Sequence, residues 1–156
     1  MKINATHSLI FSAPMVLAML DGRKMQTRRV MATNKYPRAK CGDRFWVREN
    51  LARVAKVTSY QADGTMNEKF PWRWKNAVLP AMYMPKCLSR ITFQIGHVGW
   101  QRVTDISEYD AVAEGVANIE EYITLWDSLN AKRGYGWKTN PVTVIYTFRR
   151  IWFTEF

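Results

Sequence analysis

The chain has 156 residues, 47% hydrophobic and 13% aromatic, which suits one domain with its own core and excludes an intrinsically disordered chain. Lysine and arginine number 23 against 13 aspartates and glutamates. The resulting net charge of +10 favours a polyanionic partner, with nucleic acid as the first candidate and a basic surface kept only for solubility as the alternative.

Signals for membranes, export and metal ions are missing from the sequence. No apolar run approaches the roughly 20 residues of a membrane helix, so we expect no membrane partner. The first residues lack the layout of a signal peptide, which predicts a cytoplasmic protein. The cysteines and histidines are too few for a disulfide framework or a zinc site: Cys41, Cys87, His7 and His97. We therefore expect no metal and no cofactor.

The N-terminal part predicts a strand and a helix that ends in a tight turn. Residues 9–11 form the strand, and Ser12 is the expected helix N-cap. Gly22 suits a left-handed turn at the end of the helix. Lys24 is then expected at an exposed corner, before a strand that begins at residues 27–30. The apolar face of the helix consists of Met15, Val16, Met19 and Leu20.

The middle of the chain predicts two strands and one long irregular segment. Residues 33–40 form a loop, residues 44–49 alternate as in a half-buried strand, and residues 53–61 form a second strand. Prolines interrupt residues 65–86, where the bulky side chains include Trp72 and Trp74. These aromatic residues form either a base-stacking lid or, as the favoured interpretation, part of the core.

The C-terminal part predicts a long strand, two helices and a closing strand. The strand covers residues 89–103, with a bulge or bend at Gly96 and Gly99. A short helix runs to about Glu114, and Asn118 begins a longer helix. Residues 142–153 form the closing strand. The buried stripe of the longer helix consists of Ile119, Tyr122, Ile123, Trp126 and Leu129. This order predicts an α+β domain with a curved or closed sheet.

The segment from Gly22 to Arg29 carries the groups best suited to chemistry. A threonine hydroxyl such as that of Thr27 needs a base, and Lys24 can serve if burial or nearby cations lower its pKa. A carboxylate would complete the set, and either Glu114 or Glu49 is suitable. The same basic residues also suit a phosphate clamp or an ordinary solvated loop.

The residues Gly22, Lys24, Thr27 and Arg29 resemble the signature Gly-x-Lys-x-x-Glu-x-Arg of the ASCH domain family, in the PUA-like superfamily. Threonine replaces glutamate here, as it does in the small bacterial ASCH amidohydrolases that deacetylate N4-acetylcytidine. In those enzymes the lysine, the threonine and a later glutamate in a short helix are catalytic. The resemblance therefore implies that Lys24, Thr27 and Glu114 are catalytic in this chain.

Three other segments resemble uncharacterised phage and prophage ASCH proteins still more closely. These segments are residues 42–49, residues 84–92 and residues 125–137. That group shares the Trp-rich and Pro-rich insertion at about residues 65–86, which the compact amidohydrolases lack. The closing strand around residues 144–148 also resembles the last strand of the family.

The resemblance implies one domain over residues 1–156, with a PUA-like small β-barrel, flanking helices and a cleft for a nucleoside or RNA. The implied activity is hydrolysis of an acyl amide on a modified cytidine. The alternatives are an RNA-binding module and a ribonuclease that uses the same basic cleft. The sequence does not specify an oligomeric state. The expected residues for binding substrate or RNA are Arg23, Arg28, Arg29, Arg48, Glu49, Trp46, Trp72 and Trp74.

Overall fold

The structure, a computed structural model, describes residues 7–31 and 39–151. Its strands are β1 (His7–Ile10), β2 (Gln26–Val30), β3 (Arg44–Arg48), β4 (Leu51–Val54), β5 (Val57–Tyr60), β6 (Met66–Pro71), β7 (Val78–Leu79), β8 (Thr92–Arg102) and β9 (Val142–Ile151). Its helices are α1 (Ala13–Leu20), α2 (Glu108–Ala113) and α3 (Ile119–Asn130). Most of the loop predicted at 33–40, and residues 152–153 of the predicted closing strand, lie outside the described residues.

The larger sheet has the strand order β1-β3-β8-β9-β2 and carries the main core. Strands β1 and β3 are parallel, and the other neighbours are antiparallel. The register of β8 against β9 shifts between Ile95 and His97, which confirms the bulge predicted at Gly96. The ring of Phe93 packs between those of Phe45 and Phe148, at centroid distances of 5.4 and 4.2 Å. The aromatic and β-branched residues of these strands therefore form one continuous apolar layer.

The smaller sheet has the strand order β6-β5-β4-β7, and it corrects two predictions from the sequence. The single strand predicted at 53–61 is a hairpin of β4 and β5, because the chain reverses at Ala55 with a φ of 52°. The segment at 65–86 is not irregular throughout, since β6 and β7 complete this sheet. Alanine rarely takes a positive φ, so the turn has no sequence signal.

The tryptophans of the insertion pack on the smaller sheet. Trp72 and Trp74 are partly buried against a second apolar cluster, and their ring centroids lie 4.8 Å apart. The indole Nε1 of Trp72 donates a hydrogen bond of 3.0 Å to the carbonyl oxygen of Asn76. The cluster beneath them contains Leu51, Tyr60, Leu79, Met84 and Leu88. This packing agrees with the core interpretation of the segment.

The predicted β-barrel is wrong for the described residues, although the α+β class is right. Strands β1 and β2 are the edges of the larger sheet, and β6 and β7 are the edges of the smaller one. Two residues separate β3 from β4. The β4–β5 hairpin then belongs to a separate sheet and does not extend the larger sheet towards a closed barrel. No helix in the described ranges is long and apolar enough to cross a lipid bilayer.

The three helices lie beside the larger sheet. Residues at several of their ends have the local chemistry that favours a helix boundary. Helix α1 starts after Ser12 and is followed by Gly22 at a φ of 80°, as predicted. Helix α3 begins at Asn118, whose side chain accepts a hydrogen bond from the Glu121 backbone N–H. Leu129 was expected in its buried stripe but is 48% exposed, because its side chain faces a cavity beside the helix.

Candidate active site

A cavity of about 520 Å³ lies where the end of β1, the start of α1, β2 and α3 meet. Its lining includes the aromatic residues Phe11, Tyr122 and Trp126. It also includes the polar residues Thr27 and Glu114. A partly apolar pocket of this size, with a few convergent polar groups, is typical of a site for a small organic ligand.

The corner that precedes β2 is buried, which corrects the expectation that it is exposed. Lys24 is 2% exposed and Thr27 is 3% exposed. The chain here lies between α2 and β9, since the Met25 backbone N–H donates to Ala113 O at 2.8 Å and Met25 O accepts from the Phe148 backbone N–H at 2.9 Å. Helix α2 therefore covers the lysine that the sequence places after a helix-ending glycine.

Lys24 makes an ion pair with Glu114. Its Nζ donates to Glu114 Oε2 at 3.0 Å, to the Glu114 carbonyl oxygen at 2.7 Å and to the Gln26 carbonyl oxygen at 2.8 Å. These three bonds use every N–H of the ammonium group. Of the two carboxylates that the sequence leaves open, the structure thus brings Glu114 to the lysine. Glu49 instead receives two hydrogen bonds from Arg90, at 2.8 and 2.9 Å.

Burial determines the protonation chemistry of this lysine. Removal from water lowers the pKa of Lys24 below its usual value, and the Glu114 carboxylate partly opposes that shift. The guanidinium groups of Arg29 and Arg28 lower the same pKa further. The neighbouring cations therefore act in the direction expected from the sequence, with burial as the larger cause.

Arg28 shares the Glu114 carboxylate with Lys24. Its Nη1 donates to Glu114 Oε1 at 3.0 Å, and its Nη2 lies 3.2 Å from Asp110 Oδ2. It also donates to the side-chain oxygens of Gln26 and Gln101. Its charge is therefore matched inside the protein, and it holds Glu114 in place.

Thr27 lies on β2 opposite Tyr146 of β9, and its side chain faces the cavity. Among the hydrogen bonds of the described residues, none joins Thr27 Oγ1 to Lys24 Nζ. Thr27 and Glu114 reach the same cavity from two elements, while Lys24 lies behind them at the buried end of the pair.

Other residues predicted to bind a ligand lie away from this cavity. Arg23 is exposed and pairs with Asp21 at 3.0 Å. Arg48 lies over the ring of Trp46, at 4.7 Å from its centroid, and donates to the Met82 carbonyl oxygen. None of the following predicted residues lines the cavity: Arg23, Trp46, Arg48, Glu49, Trp72 and Trp74. Their contacts are those of structural or surface side chains.

Several cavity residues were missed by sequence analysis. Ser12 was predicted only as a helix cap, yet its side chain makes no capping hydrogen bond and faces the cavity. Arg133 and Asn50 also line the cavity, and they come from a 3-10 turn after α3 and from the β3–β4 connection. No local pattern marks either residue. Within the described ranges, no group of three or more His, Cys, Asp or Glu side chains is arranged to hold a metal ion.

Gly115 keeps Lys24 close to α2, and its replacement is expected to disturb that contact. A Cβ at Gly115 would lie 3.0 Å from Ala18 Cβ and 3.2 Å from Lys24 Cβ, at a φ of 99°. We expect Gly115→Ala to lower the free energy of unfolding by more than the roughly 1–2 kcal/mol of the left-handed backbone alone. Gly64→Ala is the matched control, because Gly64 has a φ of 72° and open space around it. Equal losses in urea unfolding would contradict the close packing at Lys24.

Comparison with known proteins identifies structures with a similar fold but does not establish an activity. No family model matches the sequence, and no curated protein matches it. The chain is similar to the crystal structure of protein EF3133 from Enterococcus faecalis V583, of family model DUF984, with a TM-score of 0.55 and 13% identity over 97% of this chain and 83% of that chain. An ASCH domain from Lactobacillus crispatus JV V101 aligns with a TM-score of 0.48 and 14% identity, over 86% and 70% of the two chains. The similarity to EF3133 establishes an α+β domain with that protein's fold.

Proposed function

We propose that the protein hydrolyses an acyl amide on a modified cytidine or a related nucleoside, in the manner of the ASCH amidohydrolases that act on N4-acetylcytidine. One observation carries the proposal. The Thr27 side chain and the Glu114 carboxylate line the same cavity, and Glu114 is hydrogen-bonded at 3.0 Å to a buried lysine. A hydroxyl nucleophile, a proton donor and a base are then within one site.

The acylation step needs one proton to move within the ion pair. Lys24 passes a proton to Glu114 along their hydrogen bond, which leaves a neutral amine and a neutral acid. The amine takes the Thr27 hydroxyl proton as the oxygen attacks the acyl carbon, and Glu114 protonates the leaving amino group. To do so Lys24 gives up one of its three hydrogen bonds, since catalytic contacts tighten only when substrate is bound. The products are an acyl-threonine ester and the free base.

Deacylation returns the site to its starting state. A water molecule replaces the nucleoside, loses its proton to the Lys24–Glu114 pair and attacks the ester carbon. The Thr27 oxygen leaves with a proton, and the carboxylic acid is released. Of the two arginines that the sequence offers for the oxyanion or for a phosphate, Arg29 lines the cavity and Arg48 does not.

The cavity walls suit a nucleobase. Phe11, Tyr122 and Trp126 line the cavity, and the small exposed part of each residue, 2–3%, gives a flat base an apolar contact. A volume of about 520 Å³ lies within the usual range for small-ligand sites. The acyl group would then point towards Thr27.

The pH profile of turnover is expected to be bell-shaped. In the active form, Lys24 and Glu114 together carry one exchangeable proton. At low pH the pair takes up a second proton, and turnover falls. Activity also falls as the pH rises through the pKa of Lys24, which burial lowers below 10.5. A turnover rate that keeps rising through pH 10.5 without a maximum would contradict an active form with one shared proton. Circular dichroism over the same pH range controls for unfolding.

The direct test of the function is release of cytidine from N4-acetylcytidine by the purified protein, followed by chromatography. The proposal predicts catalytic turnover that is lost in Lys24→Met. Replacement of the exposed Lys132 by methionine is a control for a lysine outside the site. Equal rates in the wild-type protein and in Lys24→Met would contradict the proposed role of the pair.

An RNA-binding module or ribonuclease is the second candidate, and the net charge of +10 favours it. A protein that neutralises several RNA phosphates loses affinity steeply with salt, with a log–log slope of about −0.7 per phosphate contact. Hydrolysis of an uncharged nucleoside responds little to salt. A salt titration of RNA binding therefore separates this candidate from the amidohydrolase.

A further inference from the structure

Two of the three arginines that line the cavity have no carboxylate partner among the described residues. Arg28 is paired with Glu114 and Asp110. Arg29 donates from Nη2 to the Ile10 carbonyl oxygen at 2.8 Å and lies over the Phe11 ring, and within the described ranges it makes no ion pair. The cavity therefore holds positive charge that the described part of the protein does not neutralise.

Arg133 adds to this unbalanced charge at the exposed side of the cavity. In the part of the chain that the structure describes, its Nη1 reaches a neutral oxygen, Asn130 Oδ1 at 3.5 Å, and its guanidinium lies 5.8 Å from the centre of the Tyr135 ring. Burial lowers the pKa of Arg29, the Glu114 carboxylate opposes that shift, and the positive charge of Arg133 adds a smaller lowering. An anion bound in the cavity would be attracted by both arginines.

Three unpaired polar atoms of the described residues belong to side chains that line the cavity. The Nε atoms of Arg28 and Arg29 and the Oγ of Ser12 are buried, and none has a hydrogen-bond partner among the described residues. A buried polar group without a partner is unfavourable, so these side chains retain donors for a polar ligand group. Ser12 also marks the N-terminal end of α1, where the helix dipole favours negative charge.

We infer that the cavity has a phosphate subsite formed by Arg29, Arg133 and Ser12, so that the preferred ligand is a nucleotide and not a free nucleoside. This inference rests on the proposed function for the identity of the base and the acyl group. Guanidinium groups and a serine hydroxyl are the donors that commonly bind phosphate oxygens. The phosphate would lie on the β2 and α1 side, while Thr27 acts on the base.

The test compares cytidine with its 5′- and 3′-monophosphates as ligands by isothermal titration calorimetry. We expect one monophosphate to bind about 10- to 100-fold more tightly than cytidine, as charge-assisted hydrogen bonds predict. Arg133→Ala should remove most of that preference. Lys132→Ala is the matched control, because it deletes the same charge from the neighbouring residue outside the cavity and should keep the preference.

Two results would overturn the inference. One is equal affinity of the wild-type protein for cytidine and both monophosphates, and the other is an equal loss of preference in Arg133→Ala and Lys132→Ala. The binding experiment needs no catalysis, so it decides the phosphate subsite even if acetylated cytidine is not hydrolysed. Hydrolysis of N4-acetylcytidine and of its preferred monophosphate, measured in parallel, tests the proposed function separately.

Discussion

Thr27→Val is expected to lower turnover of an acylated cytidine at least about 1,000-fold, as removal of a catalytic nucleophile does in other hydrolases. Valine keeps the branched shape of threonine and its preference for a strand, so β2 should still pair with β9. The variant replaces the hydroxyl with a methyl group on a side chain that lines the cavity. The measurement is kcat and KM for N4-acetylcytidine, with urea unfolding as the check on folding.

Thr27→Ser is the matched control, because it retains a hydroxyl nucleophile at the same position. It should keep measurable turnover, while Thr27→Val does not. Turnover in Thr27→Val within about tenfold of the wild type would exclude a covalent role for Thr27, since general-base catalysis on water alone would then suffice.

Glu114→Gln is expected to have the second large effect, because it acts on both stability and turnover. Its carboxylate is 3% exposed and accepts from Lys24 and Arg28 at 3.0 Å each. Removing the negative charge leaves two buried cations short of a partner, which should cost about 3 kcal/mol of the free energy of unfolding. Turnover should fall as well, since the leaving amino group loses its proton donor.

A double variant separates the two effects. Arg28 keeps Asp110 as a partner in Glu114→Gln, whereas Lys24 loses its carboxylate. Adding Lys24→Met removes that unpaired cation, so the double variant should be more stable than Glu114→Gln alone by about 1–3 kcal/mol. It should remain inactive. The losses of unfolding free energy in Lys24→Met and in Glu114→Gln, measured in urea, are then summed and compared with the loss in the double variant. If the sum equals the loss in the double variant, the Lys24–Glu114 pair contributes no coupling energy.

Local chemistry made the elements around the site predictable. The end of α1 at Gly22 and the start of α3 at Asn118 follow from capping rules that involve only a few neighbouring residues. The bulge at Gly96 follows from a glycine within a strand pattern. The grouping of Lys24 and Thr27 came from their spacing along one short segment.

Properties that depend on tertiary packing were not predictable in the same way. The burial of Lys24 depends on α2, which is about 90 residues further along the chain, as the separation in its hydrogen bond to Glu114 shows. The β4–β5 hairpin turns at Ala55, a residue that gives no turn signal. Arg133 reaches the cavity only because α3 packs beside β2. Such contacts between distant segments leave no periodicity or motif in the sequence.

The predicted β-barrel illustrates the same limit at the level of the whole fold. Strand length and alternation identify which segments pair, but closure of a sheet depends on where the chain leaves it. Here the chain leaves the larger sheet after Arg48 and begins a second one at Leu51. Only two residues separate the strands. Neither is a glycine or a proline, the residues that would indicate in the sequence that the chain changes sheets.

The acyl-threonine intermediate is the most direct test of the central claim. Wild-type protein and Thr27→Val would each be mixed with N4-acetylcytidine, quenched within milliseconds to seconds and analysed by intact-mass and peptide mass spectrometry. We expect one added acetyl group in the wild-type protein, on the peptide that contains Thr27, and none in the variant. Release of cytidine by the wild-type protein with no acetylated protein at any time, and with equal release by Thr27→Val, would contradict the central claim.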